Sequence, residues 1–576
     1  MNTIRHHWVA LILALLVGVV TSAPFILFEF NPGYQGISMM GTDAEGHYLA
    51  RMQEVYDGFP SQGNVFLSKK NLPPIEPGLG EFLEAKSGQA LHLSVSQVET
   101  YGKMFFPLVI ALLIYTLAYT LSFSRSASVL AVLSVMFGDY FMSNPRAIFG
   151  LLHGSISHTG FLTYARPVSP EISAIFLFGT LILLVRLFFS NFNLSQGRRN
   201  IALIAAGVLT GLSLYISIYT FAFLGAFELL FFLCLLFRRK YHAAIEVGAV
   251  GALALLYSIP FVINYFNLTT HSAYTAASER FGLVLSHAPI LGVLVLSIII
   301  IAWLLPNRLK NARVFFFLAA GTLVLVLNQQ ILTGRVLQTA HFHWYITKPL
   351  MGIIGSIFLV VFFERFVHSR WVRIVAYGAL CGVLLYGAIL VQISSYRTAY
   401  PEAQKAQQYV TVLAYLNTLP SASSVWADRE LSLYVPIYTH DDSPNNGYAE
   451  YYLIPQNYLV KRMLLEYRLR GVAPVDIRNV MRQERASISA RLFGVYWRDS
   501  AGSYAAIPDT LLDTYVQAYV ETYTQPLNTL FRELGVTEVV WDTKAQPEWN
   551  LGASLSEKPT RVGQFLIYRI GTYKKL

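Results

Sequence analysis

Charge is what this 576-residue chain has least of. Asp, Glu, Lys and Arg together make up 13% of it, about half the roughly 25% of an ordinary soluble chain. That shortage argues against a cytosolic enzyme and against a nucleic-acid binder. Cysteine is nearly absent: Cys234 and Cys381 both lie inside apolar runs, which excludes a disulfide framework and gives neither thiol the setting of a reactive one. Internal repeats and low-complexity tracts are missing as well. What is present is apolar. The AVILMFWYC set accounts for 54% of residues, and the mean hydropathy is +0.47. The charge that exists is unevenly spread. Residues 1–393 hold 24 Lys/Arg and 15 Asp/Glu, whereas the much shorter stretch 394–576 holds 19 and 18. A membrane-embedded body with a water-soluble tail accounts for both densities.

Crossing hydrocarbon takes about 20 apolar residues, because a helix rises 1.5 Å per residue through a layer ~30 Å thick. Eleven runs meet this pattern, near 8–30, 103–121, 127–142, 171–189, 201–217, 219–237, 243–262, 286–305, 314–328, 349–367 and 373–393. The fifth and sixth are nearly fused around Tyr215–Tyr219. Val20-Thr21-Ser22-Ala23 resembles a signal-peptide cleavage site, but Pro24 follows at once and the apolar stretch runs on to Phe28. The first run therefore reads as a retained anchor.

Basic residues set the expected orientation. With a cytoplasmic N-terminus, the inner segments collect Arg5, Arg125, Arg186, Arg198, Arg199, Arg238, Arg239, Lys240, Arg308, Lys310, Arg313, Arg365, Arg370 and Arg373. The net charge of +10 then describes topology and not a nucleic-acid partner. An odd number of spans puts the tail outside the cytoplasm. The inner connections are short, whereas the outer ones include 31–102, 143–170, 263–285 and 329–348. Long loops on one face are where binding and catalysis concentrate.

The first outer loop contains Gly41-Thr42-Asp43-Ala44-Glu45-Gly46-His47-Tyr48. Apolar residues at 48, 49, 52, 55 and 56 predict an amphipathic surface helix, stopped by Gly58-Phe59-Pro60. Thr42 with Glu45 forms a capping box, which gives Glu45 a structural task. Asp43 falls at the first helical position, where the helix dipole alone favours an acid. A second reading of Asp43 comes from its place: an acid just beyond the first span, opening a surface helix before the second. In this, and in its second outer loop, its eleven or so spans and its soluble outer tail, the chain resembles the C-type (GT-C fold) glycosyltransferases that use polyprenyl-phosphate-linked sugars.

The resemblance implies a polytopic α-helical membrane protein with a small α/β extracytoplasmic C-terminal domain, divided as 1–393 and 394–576. It implies sugar transfer from a polyprenyl-phosphate donor, with Asp43 as general base. Asp139, which closes the third span, becomes the natural second acid through the resemblance, because some members of that group carry an acidic pair or a metal ligand in this second outer region. Asp43, Asp57 and Asp139 are the only aspartates before residue 394. The alternative for Asp139 is a solvated acid at a helix end. Cations are needed for the leaving phosphate. Arg166, rigidly flanked by Pro167, suits phosphate, although it could equally snorkel. Arg335 shares a polar outer loop with His341, His343 and the amides of Asn328, Gln329 and Gln330, a composition suited to sugar and phosphate. Arg146, Arg280 and Lys348 are the next cations in order. A divalent metal held by His341, His343 and an acid is weakly indicated, against which stand plain interfacial histidines and Trp344 as a belt residue. Glu171 reads as part of a helix start behind Ser169 and Pro170, and Glu228 either as a functional intramembrane acid with Tyr215 or Tyr219 beside it or, equally, as a neutral, hydrogen-bonded structural Glu.

In the tail, helices are expected over Pro401–Leu416 and Ala449–Leu469, and strands over Ser424–Ala427, Leu431–Tyr438, Val536–Asp542 and Gln564–Ile570. No Gly-rich phosphate loop, Cys/His metal spacing or Gly-x-Ser-x-Gly elbow occurs there. The reading is thus an integral-membrane glycosyltransferase with membrane lipid as its surroundings and an acceptor the sequence does not specify. The rivals are a multispan transporter or flippase, which would call for inverted repeats and charged mid-membrane positions, a polysaccharide polymerase or ligase, and a non-catalytic scaffold.

Overall fold

The computed structural model describes all residues except 1, 69, 145, 147–148, 151–152, 154–159, 190–193, 281–283, 420–422, 495–505, 550, 556 and 572–576, and excludes the side chains of 2–6, 43, 284 and 553. The chain divides into two compact units. The first comprises Met1–Glu45, Ser96–Val262 and Ser286–Lys405, the second Gly46–Val95, Ile263–Leu285 and Ala406–Leu576.

Each of the eleven apolar runs contains helix, although in 286–305 it starts only at Val293. In chain order the helices are α1 (Asn2–Glu29), α2 (Asp43–Tyr56), α3 (Leu79–Ala90), α4 (Val95–Ser122), α5 (Arg125–Phe137), α6 (Asp139–Ser143), α7 (Glu171–Phe188), α8 (Gln196–Ser213), α9 (Ile218–Phe237), α10 (Tyr241–Thr269), α11 (Tyr274–Arg280), α12 (Val293–Leu304), α13 (Lys310–Leu327), α14 (Lys348–Phe366) and α15 (Arg370–Ala406). Among the described residues eight helices are long and apolar enough to cross a membrane, whereas α5 and α12 are apolar but shorter. The protein is an integral membrane protein of polytopic α-helical architecture.

The first unit is held by one apolar core that draws Val17, Ile114, Leu133, Phe178, Phe227, Ile298, Phe316 and Ile353 from eight different helices. Its outward faces are also apolar, with Phe237, Leu255, Trp303 and Val375 well exposed, as expected where hydrocarbon replaces water. Small residues let helices approach. A Cβ at Gly207 would lie 2.9 Å from the Val250 carbonyl, and one at Gly211 2.8 Å from the Ala254 carbonyl, so a Gly-x-x-x-Gly face on α8 meets α10 backbone to backbone. A Cβ at Gly352 of α14 would sit 3.0 Å from Val135 of α5, and Ser356 donates to Ser134 at 3.1 Å. The intramembrane Glu228 finds Thr210, whose hydroxyl donates to it at 2.6 Å. Tyr215 and Tyr219, expected beside it, bond elsewhere: Tyr215 to the Tyr257 carbonyl and Tyr219 to Gln338. Thr210 lies one helix away on a facing stripe that sequence proximity does not reveal.

The second unit contains α16 (Val410–Leu416), β1 (Val425–Trp426), α17 (Leu431–Tyr438), α18 (Gln456–Leu469), α19 (Ile477–Gln483), α20 (Arg485–Phe493), α21 (Asp509–Tyr523), α22 (Leu527–Glu533), β2 (Glu538–Asp542), β3 (Thr560–Val562) and β4 (Phe565–Arg569). The strands form one sheet in the order β1-β2-β4-β3. β1 is parallel to β2, and β4 is antiparallel to both β2 and β3. Trp426, Phe531, Val539 and Tyr568 make the core beneath it. Leu431–Tyr438, expected as a strand, is a helix. Asp428 Oδ1 accepts the N–H groups of Glu430 and Leu431, which starts a helix and overrides the strand-like alternation of Leu431, Leu433, Val435 and Ile437.

Residues 46–95 and 263–285, which fall within the expected first and third outer loops, belong to this unit. Arg51 of α2 is buried, donating to Glu76 at 2.6 Å and pairing with Glu81 at 3.0 Å. His47 and Arg51 beside Glu76 hold that carboxyl down at about 2 against the opposing effect of burial. Lys70 lies between Glu54 and Asp442, bonding to both. Arg280 of α11 is buried and donates to the carbonyls of Glu450, Tyr452 and Ile454. It is a structural staple, and its guanidinium is already committed, so it is not available to a donor phosphate.

Candidate functional site

The site lies in the first unit, where α5 ends and α14 begins. Gly138 breaks the chain between α5 and α6: a Cβ there would lie 2.4 Å from the Ser134 carbonyl, so only glycine permits the sharp turn that sets Asp139 at the head of α6. Lys348 is the first residue of α14, followed by Pro349, and is preceded by a wide π-type turn over His343–Thr347. Its ammonium donates to Asp139 Oδ1 at 2.8 Å and to Ser143 Oγ at 2.5 Å, and sits 3.1 Å from the centroid of the Trp344 ring. The Lys348 side chain is 2% exposed. The other Asp139 oxygen accepts from Thr163 at 3.0 Å.

Around this pair stands an aromatic frame. Arg166 donates to the Tyr345 hydroxyl at 3.2 Å. Tyr345 meets His341 edge-on at 5.5 Å, and His341 stacks on Tyr219 at 4.3 Å with 5° between the planes. His343 stands edge-on to Trp344 at 5.8 Å. Tyr164 is buried, and the neighbouring Asp139 carboxylate together with burial pushes its phenol far above its ordinary range. Asp139, Thr163, Tyr164, Trp344 and Lys348 line a small depression in the surface. Chemically, the arrangement holds an almost dry ammonium, oriented by a carboxylate, with a guanidinium on the same frame. Such a group suits a developing phosphate charge at the edge of an apolar body.

The sequence-selected residues divide. Asp139, Arg166, His341 and His343 belong to this frame. Arg335 is exposed, and its guanidinium has no described partner; its carbonyl accepts from Gln329. Asn328 and Gln330, whose amides read as sugar ligands, are spent on the backbone of 288–290. Arg146 is exposed in a stretch of which much lies outside the described residues. The backbone of Asp43 opens α2, and its side chain lies outside the described residues. Among the described residues, no three His, Cys, Asp or Glu side chains converge as a metal would need. α7 starts at Glu171, with Pro170 as its cap residue, one place later than Ser169 would give.

Lys103 and Glu99 escaped sequence reasoning. Lys103 of α4, 1% exposed, pairs with Glu45 at 2.8 Å and Glu99 at 2.7 Å, and its ammonium lies 3.7 Å from the Phe25 ring centroid. Glu45 also accepts the Gly41 N–H at 2.9 Å, so it ties the start of α2 both to its own loop and to α4. Glu99 and Lys103 stand four apart at the mouth of an apolar run, the spacing of a helical ion pair. That spacing was the available signal.

No protein-family model matches the chain, and no curated protein matches it in sequence. Among solved structures, the chain is similar to ArnT from Cupriavidus metallidurans bound to undecaprenyl phosphate, at 11% identity and a TM-score of 0.48 over 98% of each chain. It is also similar to the oligosaccharyltransferase of Archaeoglobus fulgidus in its apo form, at 12% identity and a TM-score of 0.47, over 93% of this chain and 70% of that one.

Proposed function

We propose that the protein is a membrane glycosyltransferase that moves a sugar from a polyprenyl-phosphate donor to an acceptor hydroxyl at the extracytoplasmic face. The observation that carries this reading is the buried Lys348 ammonium within the apolar helical segment Thr339–Phe366, held by Asp139, with Arg166 bonded to Tyr345 one turn earlier in the same segment. A lipid phosphate can bring its head group to such a place while its tail stays in hydrocarbon.

In this reading Asp43 takes the proton of the acceptor hydroxyl as the oxygen bonds to the anomeric carbon. The bond from that carbon to the phosphate oxygen breaks, and the electron pair leaves with the polyprenyl phosphate. The added negative charge falls to Lys348 and Arg166. Asp139, with both oxygens engaged, acts by aiming Lys348 and is poorly placed to accept a proton itself. Arg335, Arg146, His341 and His343 remain candidates for the sugar and phosphate.

The test is transfer measured with the full-length chain in vesicles. Asp43→Asn is expected to preserve donor binding and to lower the transfer rate by roughly 10²–10⁴. An unimpaired rate in that variant removes Asp43 from the chemistry.

A further inference from the structure

A second cavity lies at the opposite end of α5 from Asp139, some 20 Å away by helix rise. It measures about 350 Å³, within the roughly 300–1,000 Å³ of small-molecule sites. Its wall carries one full charge of each sign: Arg308, in the turn before α13, and Glu364, near the end of α14, paired at 2.7 Å and 62% and 35% exposed. Ser122 and Ser124 stand at its rim, and Ile357, Val360 and Val361 form an apolar floor. Phe123, between α4 and α5, is held at φ 54° with its ring 59% exposed. A bulky residue in the left-handed region is costly, and such strain gathers at ligand clamps.

A pocket with only a cation would take any anionic lipid. Here an anion alone would bring a negative charge against Glu364, and a cation alone would face Arg308. A ligand carrying phosphate and ammonium a few atoms apart satisfies both, antiparallel to the resident pair, and the apolar floor continues into a surface built for hydrocarbon. We propose that this cavity binds the head group of a phosphatidylethanolamine-type phospholipid, with the phosphate on Arg308 and the primary ammonium on Glu364. The ammonium is the discriminating group, because its N–H donors can bond the carboxylate, whereas a trimethylated choline has none.

The test titrates the detergent-solubilised full-length chain with short-chain phosphatidylethanolamine, phosphatidylcholine and phosphatidylglycerol, following the shift in thermal unfolding. Phosphatidylethanolamine is expected to bind about tenfold more tightly than the other two. Glu364→Gln should abolish that preference, and Arg308→Gln should weaken all three. Both side chains are partly exposed, so the variants should fold, and Arg308→Lys should retain part of the binding. Equal affinity for all three lipids overturns the proposal. So does phosphatidylglycerol binding tightest with no response to Glu364→Gln, which is the signature of a merely basic surface. Water-soluble phosphoethanolamine competing as well as the lipid would overturn the lipid assignment.

Discussion

At the scale of single residues, the candidate site is defined by which charges are already committed. Lys348 is expected to matter most. If the proposed donor site is right, replacing it with Gln should weaken binding of a polyprenyl phosphate by about tenfold or more, because a charge-assisted bond is lost and Asp139 is left facing the incoming anion. Titration of the purified variant with that lipid measures this, and wild-type affinity would move the phosphate to Arg166 or Arg335. No local pattern singles out Lys348 over the arginines, because its partner Asp139 is 209 positions away. Asp139, Arg166, His341 and His343 were legible because polar residues crowd few places in so apolar a chain. The second unit offers a titration. Burial, only partly offset by Lys70, pushes the Glu54 carboxyl up to about 7. Because this exceeds its unfolded value near 4.5, the folded state holds the proton more tightly, and its stability falls as pH rises from about 4.5 through about 7. Glu54→Gln should flatten that fall and gain about 2–3 kcal/mol at pH 8 relative to pH 4. Thermal unfolding at several pH values checks this, and an unchanged profile would show that Glu54 does not titrate there.

At the scale of elements, run length located the apolar helices but not their extent: among the described residues eight are long and apolar enough to cross a membrane, and the tail helix expected from Ala449 begins at Gln456. What brings the helices together was not visible. The Gly207/Gly211 face of α8 is a case in point. Its period is a helical turn, but which helix it meets is decided by α10, some 40 residues on. Gly211→Val would drive a branched side chain into the Ala254 carbonyl and the Tyr257 Cβ, neither of which can yield without moving the backbone. A loss of about 1–3 kcal/mol is expected. Gly225→Ala on α9, where an added Cβ meets nothing within 4 Å, should be neutral or slightly stabilising. Thermal midpoints of the two variants make the comparison, and equal midpoints would mean the α8 contact is not tight. The misread element, Leu431–Tyr438, shows the converse failure: aliphatic residues alternate at 431, 433, 435 and 437 as in a strand, and the deciding Asp428 cap sits outside the run.

At the scale of the whole molecule, composition gave the membrane body and the water-soluble tail, but not the company kept by the outer loops. Residues 46–95 and 263–285 cluster with 406–576 through pairings such as Lys70 with Asp442 and Arg280 with Ile454, which span too much sequence for any local pattern to announce. The orientation rests on the basic residues. A cysteine at Ser61 is expected to react with an impermeant reagent in intact cells and one at Gln196 to stay silent. The reverse pattern would invert the protein and remove the extracytoplasmic site. The trio of Glu45, Glu99 and Lys103 has a consequence for how such a chain is made. As α4 emerges from the ribosome, its glutamate and lysine, one turn apart, can neutralise each other within the same helix, so the segment presents the lipid with a dipole and not with two bare ions. Glu45, synthesised earlier, has only to find that pair. The bond that fastens the first loop can therefore close while most of the spans are still unborn.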